Sequence, residues 1–263
     1  MEDISKMTLV ATQAALKAGA TLKRGFRTNF EISSKEGKHN LVTEYDHLAE
    51  KLIISYIKEH FDDHSFLAEE SGETKGEEEI QWVIDPLDGT VNFAHGIPMF
   101  AVSIAACQGG DPLCGVIYQP ITQELFIAEK GGGAYLNGSP IKVTETEQLD
   151  DAFVALGFPY NLSENPGQTI DHFIDVLKLG LPIRRIGVAA LDLAYVASCR
   201  FDFFFEVALG PWDCAAGILL VNEAGGKVTS WNGKPFNIYS GKPILASNGL
   251  IHSEISSILG RRI

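Results

Sequence analysis

The sequence predicts a layered protein of mixed α+β and α/β character, and three observations carry that expectation. A helical repeat of apolar residues opens the chain, short apolar runs separated by turn residues occupy 66–143, and strands alternate with helices from about residue 150. The first half, 1–145, therefore reads as two helices on a largely antiparallel sheet, and the second, 146–263, as a helix-flanked second sheet. No internal repeat, low-complexity tract or long linker separates the halves, so they are expected to form one compact unit.

Ile4, Met7, Val10, Ala11, Ala14, Ala15 and Ala18 fall at helical spacing and predict a helix over 3–20. A second helix starts at Thr43, because Thr43-x-x-Asp46 makes a capping box ahead of Leu48, Leu52, Ile53, Tyr56 and Ile57. Residues 66–68 and 80–84 then read as strands, followed by strands at 100–106, 114–118, 124–128 and 134–136. Asn137-Gly138 is a hairpin signal before Ile141-Lys142-Val143. Beyond it the expected order is strand 152–156, helix 166–179, strand 183–186, helix 189–198, strand 201–206, helix 213–224, strands 227–231 and 243–247, and a last helix from about 249.

With 263 residues, 45% of them hydrophobic, the chain is long enough to bury a substantial core. Its net charge of -13 argues against general binding to nucleic acid, which needs Lys and Arg to neutralise phosphates. The first residues lack the basic and apolar regions of a secretory leader, and no uninterrupted apolar run suits a membrane span, so a cytoplasmic location without a membrane partner is expected. Cys107, Cys114, Cys199 and Cys214 show no C-x-x-C spacing and read as reduced core thiols. No G-x-S-x-G occurs and no cysteine has an evident activating base, which sets aside a Ser or Cys nucleophile.

The chemistry concentrates in Asp85-Pro86-Leu87-Asp88-Gly89. Asp85 ends an apolar strand, Pro86 stops sheet pairing, and Asp88-Gly89 turns the chain so that the second carboxylate returns toward the first. Carboxylates at i and i+3 across such a turn repel unless a cation lies between them, and an oxygen-only set suits Mg²⁺. Side chains that bond local amides explain the same turn without a metal. Glu69 and Glu70 directly follow the 66–68 strand, where they can equally be solvated rim residues, and Asp213 opens a helix, where it can equally be an N-cap. Together, three acidic segments at element ends form a constellation able to hold two or more Mg²⁺ ions.

Asp85-Pro86-Leu87-Asp88-Gly89-Thr90-x-Asn92-Phe93, with Glu69-Glu70-Ser71 upstream and Trp212-Asp213-x-Ala215-Ala216-Gly217 downstream, resembles the paired signatures of the inositol monophosphatase family. Leu41-Val42-Thr43-x-x-Asp46, Gly115-Val116-Ile117-Tyr118-x-Pro120 and Leu136-Asn137-Gly138 extend the likeness over essentially the whole chain. The resemblance implies an αβαβα sandwich of the inositol monophosphatase and fructose-1,6-bisphosphatase type. It also implies a Mg²⁺-dependent, lithium-sensitive phosphatase with two or three Mg²⁺ per subunit and a homodimeric state. The substrate would be a small phosphorylated polyol or sugar, myo-inositol monophosphate before others.

By the same resemblance Glu69, Asp85, the carbonyl of Leu87, Asp88 and Asp213 would be metal ligands, with Glu70 just outside them. Thr90 and its partner Asp46 would orient the attacking water, although the capping box alone also accounts for Asp46. Lys35 would act through water near an outer metal, or be a solvated loop residue. Asp88, Gly89, Thr90, Gly187, Val188, Ala189, Glu206 and Asp213 would contact substrate, Gly89 and Thr90 through backbone amides at a helical turn. Arg184 and Arg185 suit an interface or a second phosphate, and equally a surface pair. Two departures stand out: Asn40 where an acid commonly precedes Leu-Val-Thr, and Val188 where a hydroxyl residue is common.

The metal signatures do not choose among inositol monophosphatases, fructose-1,6-bisphosphatases, histidinol phosphatases and phosphoadenosine phosphate phosphatases, which share them. Residues 187–197 and 209–217 look more like the inositol branch than the nucleotide branch. From another class, recruitment to a transcription complex independently of turnover remains an alternative.

Overall fold

The computed structural model describes residues 3–34, 40–159, 169–241 and 243–262. Helix α1 (Ile4–Gly25) opens the chain, capped by Asp3, and outruns the expected residue 20 because Leu22 and Gly25 continue its buried face. A small hairpin, β1 (Ile32–Ser34) and β2 (Leu41–Thr43), leads into α2 (Glu44–Lys58). The hairpin was not expected, since β1 is exposed throughout and has no apolar alternation to announce it. Then come β3 (Ser65–Ala68), β4 (Gly72–Thr74), β5 (Ile80–Asp88) and the short α3 (Thr90–Ala94). Strands β6 (Ala101–Gln108), β7 (Asp111–Gln119), β8 (Glu124–Glu129), β9 (Gly133–Leu136) and β10 (Ser139–Pro140) complete the first sheet.

The second sheet begins at β11 (Val154–Leu156), followed by α4 (Thr169–Leu177), β12 (Ile183–Arg184), α5 (Ala189–Ala197), β13 (Phe203–Glu206), α6 (Pro211–Glu223), β14 (Lys227–Ser230), β15 (Ile244–Ser247) and α7 (His252–Leu259). In this second half helices and strands fall where the sequence predicts them, with ends shifted by a few residues, whereas in the first half β4, like the β1–β2 hairpin, was not expected. The Asn137-Gly138 turn joins β9 to β10 with both residues at positive φ, as a tight hairpin demands, but its second strand is 139–140 rather than 141–143.

The first sheet has eight strands in the order β10-β9-β8-β7-β6-β5-β3-β4, antiparallel except for the β3–β5 pair. The second has five, in the order β12-β11-β13-β15-β14. Helices α1 and α2 cover one face of the large sheet, α5 and α6 lie between the two sheets, and α4 and α7 meet on the outside of the small one. The expected αβαβα sandwich results.

Strand alternation divides the core into layers. Trp82, Ile84, Ile104 and Val116 face α1 and α2, while Val83, Ala105 and Ile117 face α5 and α6. In β13 Phe204 joins the central layer, and Phe203 and Phe205 join the outer one with Leu245. Strands apolar on both faces are the pattern of a sheet covered on both sides. Each buried Phe or Leu in such a layer contributes roughly 1.5–3 kcal/mol relative to exposure. Cys107, Cys114 and Cys214 are buried free thiols as expected, but Cys199 is exposed, because it follows the end of α5 at φ +63°.

Candidate active site

Local chemistry places the first pair of carboxylates. In a regular strand residues i and i+3 face opposite sides of the sheet. In β5, Asp85 pairs with Ser103 and Asp88 with Ala101, so Pro86 and Leu87 stand opposite the single residue Val102. This bulge reverses the phase and brings Asp85 and Asp88 to one side. The expectation that Pro86 ends pairing is therefore corrected: it interrupts the ladder at a bulge, where a missing N–H costs nothing, and pairing resumes at Asp88.

Neighbouring elements bring in the other acids. Strand β3 runs parallel to β5 with Ala68 beside Ile84, so Glu69 leaves the sheet next to Asp85, its amide donating to the Ile84 carbonyl at 3.1 Å. The Glu70 amide donates to Glu50 Oε2 at 2.9 Å, which pins this strand end to α2. Ser103, the cross-strand partner of Asp85, donates through Oγ to the carbonyl of Trp212 at 3.2 Å and so anchors the start of α6, where Asp213 sits.

Thr90 and Asp46 meet as the resemblance implies. Thr90 Oγ1 lies 3.0 Å from Asp46 Oδ1 and 2.9 Å from the Leu87 carbonyl. The other oxygen of Asp46 accepts from Thr43 N at 2.7 Å and Thr43 Oγ1 at 2.6 Å. The two readings of Asp46 are both realised: one oxygen caps α2 and the other holds Thr90.

Gly89 is required where it stands. Its φ is +94°, and a Cβ there would lie 2.8 Å from Val188 Cγ2 and 3.0 Å from the Met99 carbonyl. The turn it makes opens α3, whose Asn92 donates to the carbonyls of Met99 and Ile186 and ties the Asp88 segment to the loop before Gly187. Asp88 Oδ2 in turn accepts from the Ala190 amide at 2.7 Å, at the start of α5. A cavity of about 220 Å³ opens here, lined among others by Asp88, Gly187, Val188, Ala189, Glu206 and Asp213. The Glu206 carboxylate packs so closely on Gly157 that a Cβ at that position would lie 2.0 Å from its Oε2.

The electrostatics are those of crowded acids. Burial first, then the charges of Glu69, Asp88 and Asp213, hold the Asp85 carboxyl well above the usual carboxylate range. Burial and then Asp213 do the same for Asp88, against the opposing Ala190 hydrogen bond. Glu206 is pushed up to about 8 by burial and by Asp213, with Arg185 pulling the other way. Asp46 is raised by burial and, least, by Glu69, against its three hydrogen bonds. Acids this close favour a cation among them, and their hard oxygen donors fit Mg²⁺. Among the described residues, no three His, Cys, Asp or Glu side chains stand at the spacing an ion imposes. Asp85, Asp88 and Asp213 each give one oxygen to a backbone amide, of Leu87, Ala190 and Gly210 respectively.

Of the residues expected from sequence, Glu69, Asp85, Asp88 and Asp213 act on one another electrostatically, and Asp46, Thr90 and the Leu87 carbonyl are joined by hydrogen bonds beside them. Gly187, Val188, Ala189 and Glu206 form the adjoining wall. Lys35 lies outside the described residues. Arg184 stacks over Phe153 and Arg185 over Phe158, the latter lining the cavity. Sequence reasoning missed Glu50, Ser103 and Asn92. Only Asn92 carried a signal, through its place in the Asp85–Phe93 motif.

Fold and site together define a layered protein of two sheets and three helical layers with an acid-lined pocket at the seam of the sheets. The sequence pattern of the inositol monophosphatase family matches residues 3–262. The chain is 41% identical over 258 residues to an inositol-1-monophosphatase of Synechocystis sp., covering 98% of this chain and 90% of that protein. It is 40% identical over 264 residues to the Nus factor SuhB of Escherichia coli K12, covering 97% and 99%. The structure of an inositol monophosphatase from Anabaena (Nostoc) sp. PCC 7120 superposes with a TM-score of 0.90 at 40% identity, covering 100% and 98%. The chain belongs to the inositol monophosphatase family. It is a phosphoric monoester hydrolase.

Proposed function

We propose that this chain hydrolyses a small polyol monophosphate, myo-inositol monophosphate before others, with Mg²⁺ held by Glu69, Asp85, the Leu87 carbonyl, Asp88 and Asp213. The observation that carries this is the mutual repulsion of Asp85, Asp88, Glu69 and Asp213, drawn from three separate chain segments. When bound, two or three Mg²⁺ ions supply an activated water and offset the charge that develops on the phosphate. Thr90, oriented by Asp46 and the Leu87 carbonyl, positions the attacking water, and Glu70 and Lys35 act at the margin of the ligand set. The amides of Gly89 and Thr90 meet phosphate oxygens. Glu206, with Gly187, Val188 and Ala189, receives the polyol.

In this reading the halves 1–145 and 146–263 work as one unit, because Asp88 of the first binds the Ala190 amide of the second. A homodimer is supported by Ile170, Ile174 and Leu177, which share one face of α4 and stay exposed. A cytoplasmic location agrees with the absence, among the described residues, of any helix long and apolar enough to cross a membrane. The net charge of -13 speaks against direct nucleic-acid binding.

The test is phosphate release from inositol 1-phosphate, fructose 1,6-bisphosphate, histidinol phosphate and phosphoadenosine phosphate in parallel, with Mg²⁺ titrated and Li⁺ added. Preference for inositol 1-phosphate with inhibition by Li⁺ is expected, and no release from any of the four sinks the proposal. A second reading, a binding role independent of turnover, is favoured by the 40% identity to a relative named as a Nus factor. Rescue of a deletion phenotype by Asp85→Asn would point to that role.

A further inference from the structure

The cavity has a wall that the proposed phosphate chemistry does not use. Asp192 lines it, is only 1% exposed, and has an Oδ1 with no hydrogen-bond partner among the described residues. Local structure does not explain an acid there. The start of α5 is already served by Asp88, which takes the Ala190 amide, and the Asp192 amide closes on the Val188 carbonyl within the helix. Leu191 and Leu193 on either side are fully buried core residues, so packing alone would favour an apolar side chain. A buried carboxyl oxygen without a partner is a standing cost that binding can relieve.

The surroundings narrow the ligand. Glu206 on β13 and Asp88 on β5 press on Asp192 with negative charge, and Arg185, before Gly187, is the cation that opposes them. Burial, the largest influence, holds the Asp192 carboxyl well above its usual range. A protonated carboxyl both donates and accepts, as does an alcohol, whereas an ammonium group can only donate. The wall formed by Asp192 and Glu206 therefore suits neutral hydroxyls.

We propose that Asp192 is a specificity-determining residue whose unpaired oxygen pairs with a hydroxyl of the polyol substrate, separate from the hydroxyl held by Glu206. This rests on the polyol phosphatase reading and adds to it a second point of hydroxyl recognition. Because the contact touches the polyol and not the reacting phosphate, it should act on binding of hydroxylated substrates and leave other esters alone.

The experiment compares Asp192→Ala, Asp192→Val and Asp192→Asn with the wild type, using inositol 1-phosphate and p-nitrophenyl phosphate with Mg²⁺. Asp192→Ala is expected to raise KM for inositol 1-phosphate about tenfold with kcat within about threefold, while kcat/KM for p-nitrophenyl phosphate stays within about twofold. Asp192→Asn, which keeps an acceptor and a donor, should recover most of the loss. Asp192→Val keeps the apolar packing and gives the same readout should the alanine variant fail to fold. Equal losses on both esters, or an unchanged KM for inositol 1-phosphate, overturn the assignment. A wild type that cleaves p-nitrophenyl phosphate but not inositol 1-phosphate would instead overturn the substrate reading on which it rests.

Discussion

The starts of α2 and α5 are both served by an aspartate that also belongs to the site, yet the two aspartates come from opposite directions. At α2, Asp46 reaches back three residues to the amide and hydroxyl of Thr43. At α5, the Ala190 amide is bound by Asp88, 102 residues earlier in the chain. The local arrangement positions Thr90 using the first half of the molecule alone. The distant one makes the pocket a joint product of both halves, so disturbing Asp88 should be felt on both sides of the seam.

The largest expected effect follows from that difference. Asp88→Asn should lower kcat by at least about a hundredfold, because an anionic ligand is lost where charge must be offset. Its melting temperature should move little, since an amide oxygen can still accept from Ala190. A variant that kept a tenth of the activity would show that the Asp88 carboxylate serves α5 and nothing more.

Next in size is a pH effect on the protein in Mg²⁺-free buffer. Glu206 titrates near 8 when folded, against an ordinary 4.5. The folded state therefore holds this proton more tightly than the unfolded chain. Its contribution to stability is complete below about 4.5 and is lost as pH rises through about 8. Melting temperatures across pH 4.5 to 8 should fall for the wild type and fall less for Glu206→Gln. Identical slopes would remove Glu206 from the buried acids of the seam.

Thr43→Ala sharpens the local half of the comparison. It should cost about 1 kcal/mol of stability, as loss of a helix cap does, and lower kcat severalfold by loosening the Asp46 carboxylate that holds Thr90. A drop in melting temperature with kcat untouched would mean that Thr90 does not depend on the cap. The smallest effect is expected of Val188→Thr, at the N-cap of α5, where the Val188 side chain itself offers no cap to the helix. Stability should change by less than about 1 kcal/mol, with a shift of a few-fold in the ratio of kcat/KM for inositol 1-phosphate and fructose 1,6-bisphosphate.

These cases also show what can be read along a chain and what cannot. The α2 capping box, the Asn137-Gly138 hairpin and the doubly buried Phe203-Phe204-Phe205 strand rest on neighbours in sequence, and each is present. The hairpin of β1 and β2 escaped because it lacks an apolar face, and Glu50 because a buried acid on an amphipathic helix looks like any solvated one. Asp192 escaped for a related reason: along the chain a carboxylate in the first turn of a helix reads as an ordinary partner of the helix dipole, and only the fold buries it with an unpaired oxygen. The bulge at Pro86-Leu87 could be suspected from the proline, but its phase reversal is defined only against β6.

Residue order alone settled the layered alternation of helices and strands, the caps and turns, and the identity of the acids, because those depend on side chains a few positions apart. The docking of α5 and α6 between the sheets settled which acids face one another, which spend an oxygen on an amide, and which are left without a partner. Burial and charge repulsion act through space, and their strength is set by whatever the fold places within a few ångströms.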